Sequence, residues 1–309
     1  MITRTQIKTF IEAGMLADAF GVPYEFRSRD SFTAATMIGH GTYDMPIGSW
    51  SDDSSLTLIL MQTMLEDKQY ATFMHHAEDY MMHGAFTPSG EMFDIGATTR
   101  KAVINFAEGA APLDAGDRSE YANGNGGIMR VAPLAVTLRN EQDMTVRRTT
   151  IENWTKLTHA HERSLIGSFI YVELLRECLL GDNLTEALRT VQAELKRTNY
   201  APSEVALFAP IFTPDFAKTP RADIASSGYV VDSLLAAVWL NSQADDYESL
   251  ILNAVNLGSD TDTIAQLAAH LFAATHHNLV LPGKWLQQLI MPDDIQHLIS
   301  QFAQAYAAR

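Results

Sequence analysis

Apolar residues recur at three- and four-residue spacing along most of the chain. Ile7, Phe10, Ile11 and Met15 begin the first stripe, which closes in the glycine-bounded stretch Gly14 to Gly21. Leu56, Ile59, Leu60, Met64 and Leu65 form a second, and Val103 with Phe106 mark a short third. After Asn140 helix follows helix: Trp154 and Leu157, then Leu165 to Val172, a capped start at Asp182-Asn183, and Val230 to Trp239. The last stripe is the cleanest, with Ile264, Leu267, Ala268, Leu271 and Phe272 at i, i+3, i+4, i+7 and i+8. Each pattern lays an apolar face along a helix. Segments 30–49, 107–127 and 199–228 are rich in Gly, Ser, Thr, Asn or Pro and predict irregular connections. No βαβ alternation, fixed-period repeat or clean boundary interrupts the pattern, so the expectation is one compact all-α domain over 1–309. Pro23 is expected to push Val22 out of helical geometry and leave Glu25 in a loop between Tyr24 and Phe26. On spacing alone Asp94 is an N-terminal residue of the Val103 helix. His159-Ala160-His161 falls where helical spacing would make its two rings diverge, so a lone polar contact is expected of either histidine.

Polar residues change the picture at two helix starts. Gly258-Ser259-Asp260-Thr261-Asp262-Thr263 precedes the last stripe, and Gly48-Ser49-Trp50-Ser51-Asp52-Asp53 precedes the second. Free N–H groups and the helix dipole favour acids at such positions, so either stretch alone reads as an N-cap. Asp260 and Asp262 are two residues apart and converge only where the chain is still unwinding, a turn that Gly258 permits. Adjacent aspartates repel one another, and two such starts in one chain call for a common counter-charge. Convergent carboxylate and hydroxyl oxygens suit Mg²⁺, Mn²⁺ or Ca²⁺ rather than zinc. Phosphate is excluded at the two starts because the acids repel it. An EF-hand is excluded as well, since Ala265 and Leu271 stand where it needs Gly and Glu. An Asp-x-Asp phosphatase of the haloacid-dehalogenase type needs a strand directly before the first Asp, where Gly258-Ser259 intervenes. Asn123-Gly124-Asn125-Gly126-Gly127 is a weak candidate for an anion nest, being neither a Walker loop nor a dinucleotide fingerprint. His75, His76 and His83 lack any HExxH or cysteine partner and read as solvated or half-buried.

Charge and cysteine content narrow the class. The 309 residues carry 22 Lys and Arg against 37 Asp and Glu, a formal net charge of −15. Such a surface argues against a nucleic-acid partner. Cys178 is the only cysteine, which rules out an internal disulfide or a cysteine zinc cluster and fits a reducing compartment. Its expected place is a buried apolar position. No run of 18 apolar residues exists and the first residues lack a signal-peptide core, so the expectation is a soluble, cytoplasmic, monomeric protein with no membrane partner.

With these landmarks in order, the chain resembles the ADP-ribosylglycohydrolase family, nearest to its bacterial dinitrogenase-reductase-activating type, from Gly14 to about Ala274. The pieces are the Glu25 loop, Trp50-Ser51-Asp52-Asp53, Asp94 to Thr99, Gly124 to Arg130, Thr158-His159, Gly228 to Asp232, and Gly258 to Thr263. Any one is weak; seven in order are specific. The resemblance implies an all-helical fold with two divalent cations, Mg²⁺ or Mn²⁺, at the bottom of a cleft. By it, Ser51, Asp52, Asp53, Asp260, Asp262 and Thr263 are the metal ligands, with Glu25 and Asp94 at the same site. Glu25, Asp52 and Asp262 become the catalytic candidates. Asp94, the loop of Gly124, Asn125, Gly126 and Gly127, Met129, His159 and Tyr229 become the substrate contacts, with pyrophosphate on the loop and adenine on Tyr229. The implied activity is metal-dependent hydrolysis releasing ADP-ribose from a protein or small-molecule acceptor, arginine being the first choice. A non-catalytic binder of ADP-ribose or of a toxin on the same fold is the alternative. Ser51 stands where the family more often has threonine, and Ser259 where it has a second glycine; neither removes a ligand.

Overall fold

Eleven helices of nine or more residues carry the chain, and the computed structural model describes residues 2–307. They are α1 (Arg4–Gly21), α2 (Asp52–Glu66), α3 (Tyr70–His83), α4 (Ala97–Ala107), α5 (Met144–Lys156), α6 (Glu162–Leu180), α7 (Leu184–Leu195), α8 (Val230–Asn241), α9 (Tyr247–Val255), α10 (Thr261–Thr275) and α11 (Asp293–Tyr306). No strand occurs among the described residues; two isolated bridges, Asp117 with His159 and Gly124 with Tyr229, are the whole of the β pairing.

Side chains start these helices as the sequence signals. Thr3 and Asn183 form reciprocal capping boxes with Gln6 and Glu186, and Ser51, Asp143 and Asp246 cap α2, α5 and α9. Helix α10 is the centre: every residue from Thr261 to Ala274 is buried. It is apolar or small nearly all round, as a helix enclosed on every side must be. Its closest partner is α1, with α8, α9 and α6 on its other sides. The buried apolar side chains join in one contiguous cluster, where each Leu, Ile or Phe contributes about 1.5–3 kcal/mol. Where α1 ends, a methyl group on Gly21 would lie 2.4 Å from the Asp262 Cα, so the bare backbone lets α1 run directly against the start of α10. Packing thus brings Asp18 and Glu25, 235 or more residues away in sequence, to the acids of the last stripe.

Four local expectations are corrected. Val22 is helical (φ −43°, ψ −47°), because Pro23 falls in the first turn of a short 3₁₀ segment, Val22–Tyr24, where a missing N–H costs nothing. Glu25 does end that segment with extended backbone. Asp94 lies outside α4, which starts three residues later at Ala97 behind Gly96. His159 and His161 lie in the turn between α5 and α6, and His161 caps α6 by accepting the Arg163 N–H. Segment 199–228 is not wholly irregular: it contains a one-turn helix, Pro202–Ala206, and three 3₁₀ turns. The histidines of α3 face outward or half outward, each beside an acid, and Cys178 is buried.

Candidate metal centre and substrate cleft

The starts of α2 and α10 face one another. Gly258 and Ser259 both adopt left-handed backbone (φ +73° and +66°), which turns the chain so that Asp260 caps α10 and Asp262 lies in its first turn. Ser259 holds this strained conformation with two backbone bonds: its N–H donates to the Arg27 carbonyl (2.8 Å), and its own carbonyl accepts the Phe26 N–H (2.7 Å). The two helix starts are joined directly, because the Thr263 hydroxyl donates to Asp53 Oδ2 (3.2 Å). Asp52 accepts the Gly96 N–H (3.2 Å), which draws the Asp94 loop to the same place. Ligand oxygens of Glu25, Asp94 and Asp262 all come within 4.8 Å of one another.

Asp52, Asp53, Asp260 and Asp262 are buried, and none makes an ion pair with Lys, Arg or His among the described residues. Burial, with the neighbouring acids, pushes Asp52, Asp53 and Asp262 well above the usual carboxylate range. Burial also raises Asp260, against hydrogen bonds from Asp262 and Asn125. Glu25 is raised to about 8, first by burial and then by the Asp260 and Asp94 charges. One oxygen of Asp260, Oδ1, is buried with no partner. Uncompensated buried acids with a bare oxygen are the donor set of a hard divalent cation, which would supply the missing charge. The residues therefore fit such an ion.

The chain's ADP-ribosylglycohydrolase profile decides the family, matching residues 3–309. The chain belongs to the ADP-ribosylglycohydrolase family. It is similar to an ADP-ribosylarginine hydrolase, Tri1, of Serratia proteamaculans, 28% identical over 93% of this chain and 75% of that one. A Tri1 of Pseudomonas putida is 28% identical over 93% and 74%. The ADP-ribosyl-[dinitrogen reductase] glycohydrolase of Rhodospirillum rubrum is 26% identical over 89% and 87%. A solved ADP-ribosylglycohydrolase-related protein complex superposes with a TM-score of 0.81 at 25% identity, covering 97% of this chain and 98% of that one. This ADP-ribosylglycohydrolase is a hydrolase, and its family is metal-dependent. No helix among the described residues is long and apolar enough to cross a membrane.

Two buried residues of the ADP-ribosylglycohydrolase centre escape a reading of motifs. Asp18 of α1 accepts the N–H and hydroxyl of both Ser51 and Ser54, at 2.5–3.2 Å. Taking the Ser51 hydroxyl proton leaves that oxygen's lone pairs free to accept the Asp53 N–H (3.3 Å) and a cation. Gln266 donates its amide to Asp53 Oδ1 (3.1 Å) and to the Met129 carbonyl (2.9 Å) once oriented to satisfy both. The signal for Asp18 was there: a carboxylate at an inward position of the first apolar stripe, eleven residues after Ile7. Asp18→Asn would turn an amide N–H toward the serine donors. It is expected to weaken Mg²⁺ or Mn²⁺ binding about 10- to 100-fold in a calorimetric titration; unchanged affinity would show that Asp18 does not orient Ser51.

The substrate candidates of the ADP-ribosylglycohydrolase lie mostly along one wall. Asn125 donates its side-chain N–H to Asp260 Oδ2 (2.5 Å), and its backbone N–H to the Gly228 carbonyl (2.9 Å). That ties the glycine loop both to the acids and to Tyr229, a half-buried residue just before α8 with the Arg163 guanidinium 5.7 Å from its ring. The His159 ring packs on Gly126 and Gly127. Its Nδ1 lies 2.9 Å from the Thr158 hydroxyl, which accepts from the buried Arg130 (2.7 Å). Burial, followed by the Arg130 charge, lowers His159 to about 3, so the ring is neutral near pH 7. With the Thr158 hydroxyl donating to Nδ1, the proton sits on Nε2. Met129 stands apart: its side chain is buried in the core and only its backbone meets this network, the N–H donating to the Asn125 carbonyl (3.0 Å) and the carbonyl accepting from Gln266.

Proposed function

We propose that this enzyme hydrolyses the glycosidic bond between ADP-ribose and an arginine side chain on protein. The carrying observation is the meeting of Glu25, Asp94 and Asp262 oxygens beside two acidic helix starts. The names of the Serratia, Pseudomonas and Rhodospirillum relatives support ADP-ribosylated protein, and the first two support arginine. We assign Ser51, Asp52, Asp53, Asp260, Asp262 and Thr263 to two divalent cations, Mg²⁺ with Mn²⁺ as the alternative. Bound there, the cations supply positive charge that orients ribose hydroxyls and a water.

In the reaction a water oxygen bonds to the anomeric carbon, the bond from that carbon to the guanidinium nitrogen breaks, and the departing nitrogen takes a proton. Glu25 is the residue we assign to move protons there, since its carboxyl meets Asp94 and Asp262 at the cluster and is oriented by accepting the Tyr43 hydroxyl (2.7 Å). Anionic carboxylates below the ribose stabilise the positive charge that grows on the ring. Gly124, Gly126 and Gly127 are the loop N–H donors for pyrophosphate, because the Asn125 N–H is already bonded to Gly228. His159, neutral and protonated on Nε2, donates to phosphate or ribose. Tyr229 stacks on adenine. Incubation with ADP-ribosylated arginine, serine, nucleic-acid base and O-acetyl-ADP-ribose, in Mg²⁺ or Mn²⁺, tests the reading. Release of ADP-ribose from the arginine conjugate is expected. Release only from another conjugate would replace the acceptor, and tight binding without release from any would favour the non-catalytic alternative.

A further inference from the structure

Three aromatic side chains, Phe26, Tyr43 and Phe93, gather beside the acid cluster. Phe26 is 69% exposed and adopts left-handed backbone (φ +63°), an uncommon conformation for a bulky residue. Its strain is held by the bond from its N–H to the Ser259 carbonyl, so the acid-bearing turn itself aims the ring. Tyr43 packs between Phe26 (centroids 6.4 Å apart) and Phe93 (5.1 Å). Its hydroxyl donates to Glu25 Oε2 (2.7 Å). Exposed Phe26 directly follows buried Glu25, and half-buried Phe93 directly precedes half-buried Asp94, so two of the rings are chain neighbours of cluster carboxylates.

Aromatic faces beside carboxylates are a recognition surface for a cation. Among the described residues no Lys or Arg lies over Phe26, Tyr43 or Phe93: Arg27, the nearest in sequence, is stacked over Tyr24 and Phe32, and Arg100 acts on Asp94 without covering a ring. A guanidinium is planar and weakly hydrated, and suits stacking on rings while its N–H groups face carboxylates. A serine hydroxyl offers neither property. We propose that Phe26, Tyr43 and Phe93 form the acceptor subsite, which takes the guanidinium of ADP-ribosyl-arginine against Glu25 and Asp94. The proposal rests on the arginine reading above and adds the residues that select for it.

The test compares wild type with Phe26→Ala, Phe93→Ala and the double variant, leaving Tyr43 intact because it bonds Glu25. Two readouts are taken: steady-state hydrolysis of ADP-ribosyl-arginine, and inhibition by free ADP-ribose, which fills the cleft but lacks the guanidinium. KM is expected to rise about five- to tenfold in the double variant with kcat little changed, while the ADP-ribose inhibition constant stays within twofold. Phe26→Tyr, which keeps the ring face, should restore KM. An unchanged KM, or parallel rises in KM and the inhibition constant, would overturn the subsite while leaving arginine as the acceptor. Failure of wild type itself to release ADP-ribose from arginine would overturn the acceptor reading, and the subsite with it.

Discussion

Asp262→Ala is expected to lower kcat/KM by about 10³-fold or more, on the order of 4 kcal/mol of transition-state stabilisation. The isosteric Asp262→Asn should lose comparable activity and yet melt at a higher temperature than wild type when no metal is present. The two effects have one cause. Asp262 is buried against Glu25, Asp260 and Asp53, whose charges all oppose its ionisation. In the metal-free protein that repulsion is a cost of folding, and a neutral amide of the same shape relieves it. Calorimetric scans in chelator and turnover assays in Mg²⁺ measure the two sides. A residue that merely supported the fold would lose activity and stability together. Full activity of Asp262→Ala in metal-free buffer would rule out the cation site as the source of catalysis.

Metal-free protein is expected to lose stability between about pH 6.5 and 8, and saturating Mg²⁺ or Mn²⁺ to abolish most of the loss. Glu25 titrates near 8 in the fold against 4.5 as a free side chain, and Asp52, Asp53 and Asp262 are raised well above their ordinary value. A raised carboxyl keeps its proton in the folded state after the unfolded chain has released it. Stability therefore falls as pH climbs from the unfolded value to the folded one, by about 1.4 kcal/mol per pH unit for each such group. Below pH 6.5 the buried imidazoles oppose this. His159 and His270 titrate near 3 in the fold, so the unfolded chain binds more protons there and stability rises with pH up to the ordinary histidine value. Asp18, near 6 in the fold, has nearly finished by then. Above pH 6.5 the carboxylates of the cluster still differ between the states, joined until about pH 7 by Glu173, which burial raises to about 7 beside Arg147. A cation replaces their protons, so titrations in buffers of different ionisation enthalpy should reveal proton release on binding. A flat melting temperature across that interval without metal would mean that the acids are already ionised and the cluster is open to water.

How much of this was legible in residues alone differs by kind of feature. Helical spacing located Ile264 to Phe272 and Leu56 to Leu65 well, because a helix with one apolar face needs only local periodicity to declare itself. The Asp260–Asp262 turn was legible too, since two acids and a preceding glycine are a local statement about backbone conformation. Val22 and Asp94 went the other way. Their local preferences were outweighed by neighbouring turns that pack against α10 and bond to Asp52. Asp18 and Gln266 sit among the residues of apolar stripes and belong to no motif, although each is a buried polar side chain bonded across to another helix.

By itself the order of residues determined that the chain is helical, that two helices begin with acids, and, through seven motifs in series, which family it belongs to. Only the tertiary structure decided that the two starts face one another, that Asp18 anchors Ser51, and that Phe26, Tyr43 and Phe93 stand over Glu25 and Asp94. The reason is physical. A cap or a stripe is written within one or two turns of backbone. A cation site needs repelling carboxylates from distant segments held together, and the packing of α1 against α10 at Gly21, with the bonds from Ser51 to Asp18 and from Thr263 to Asp53, supplies that force.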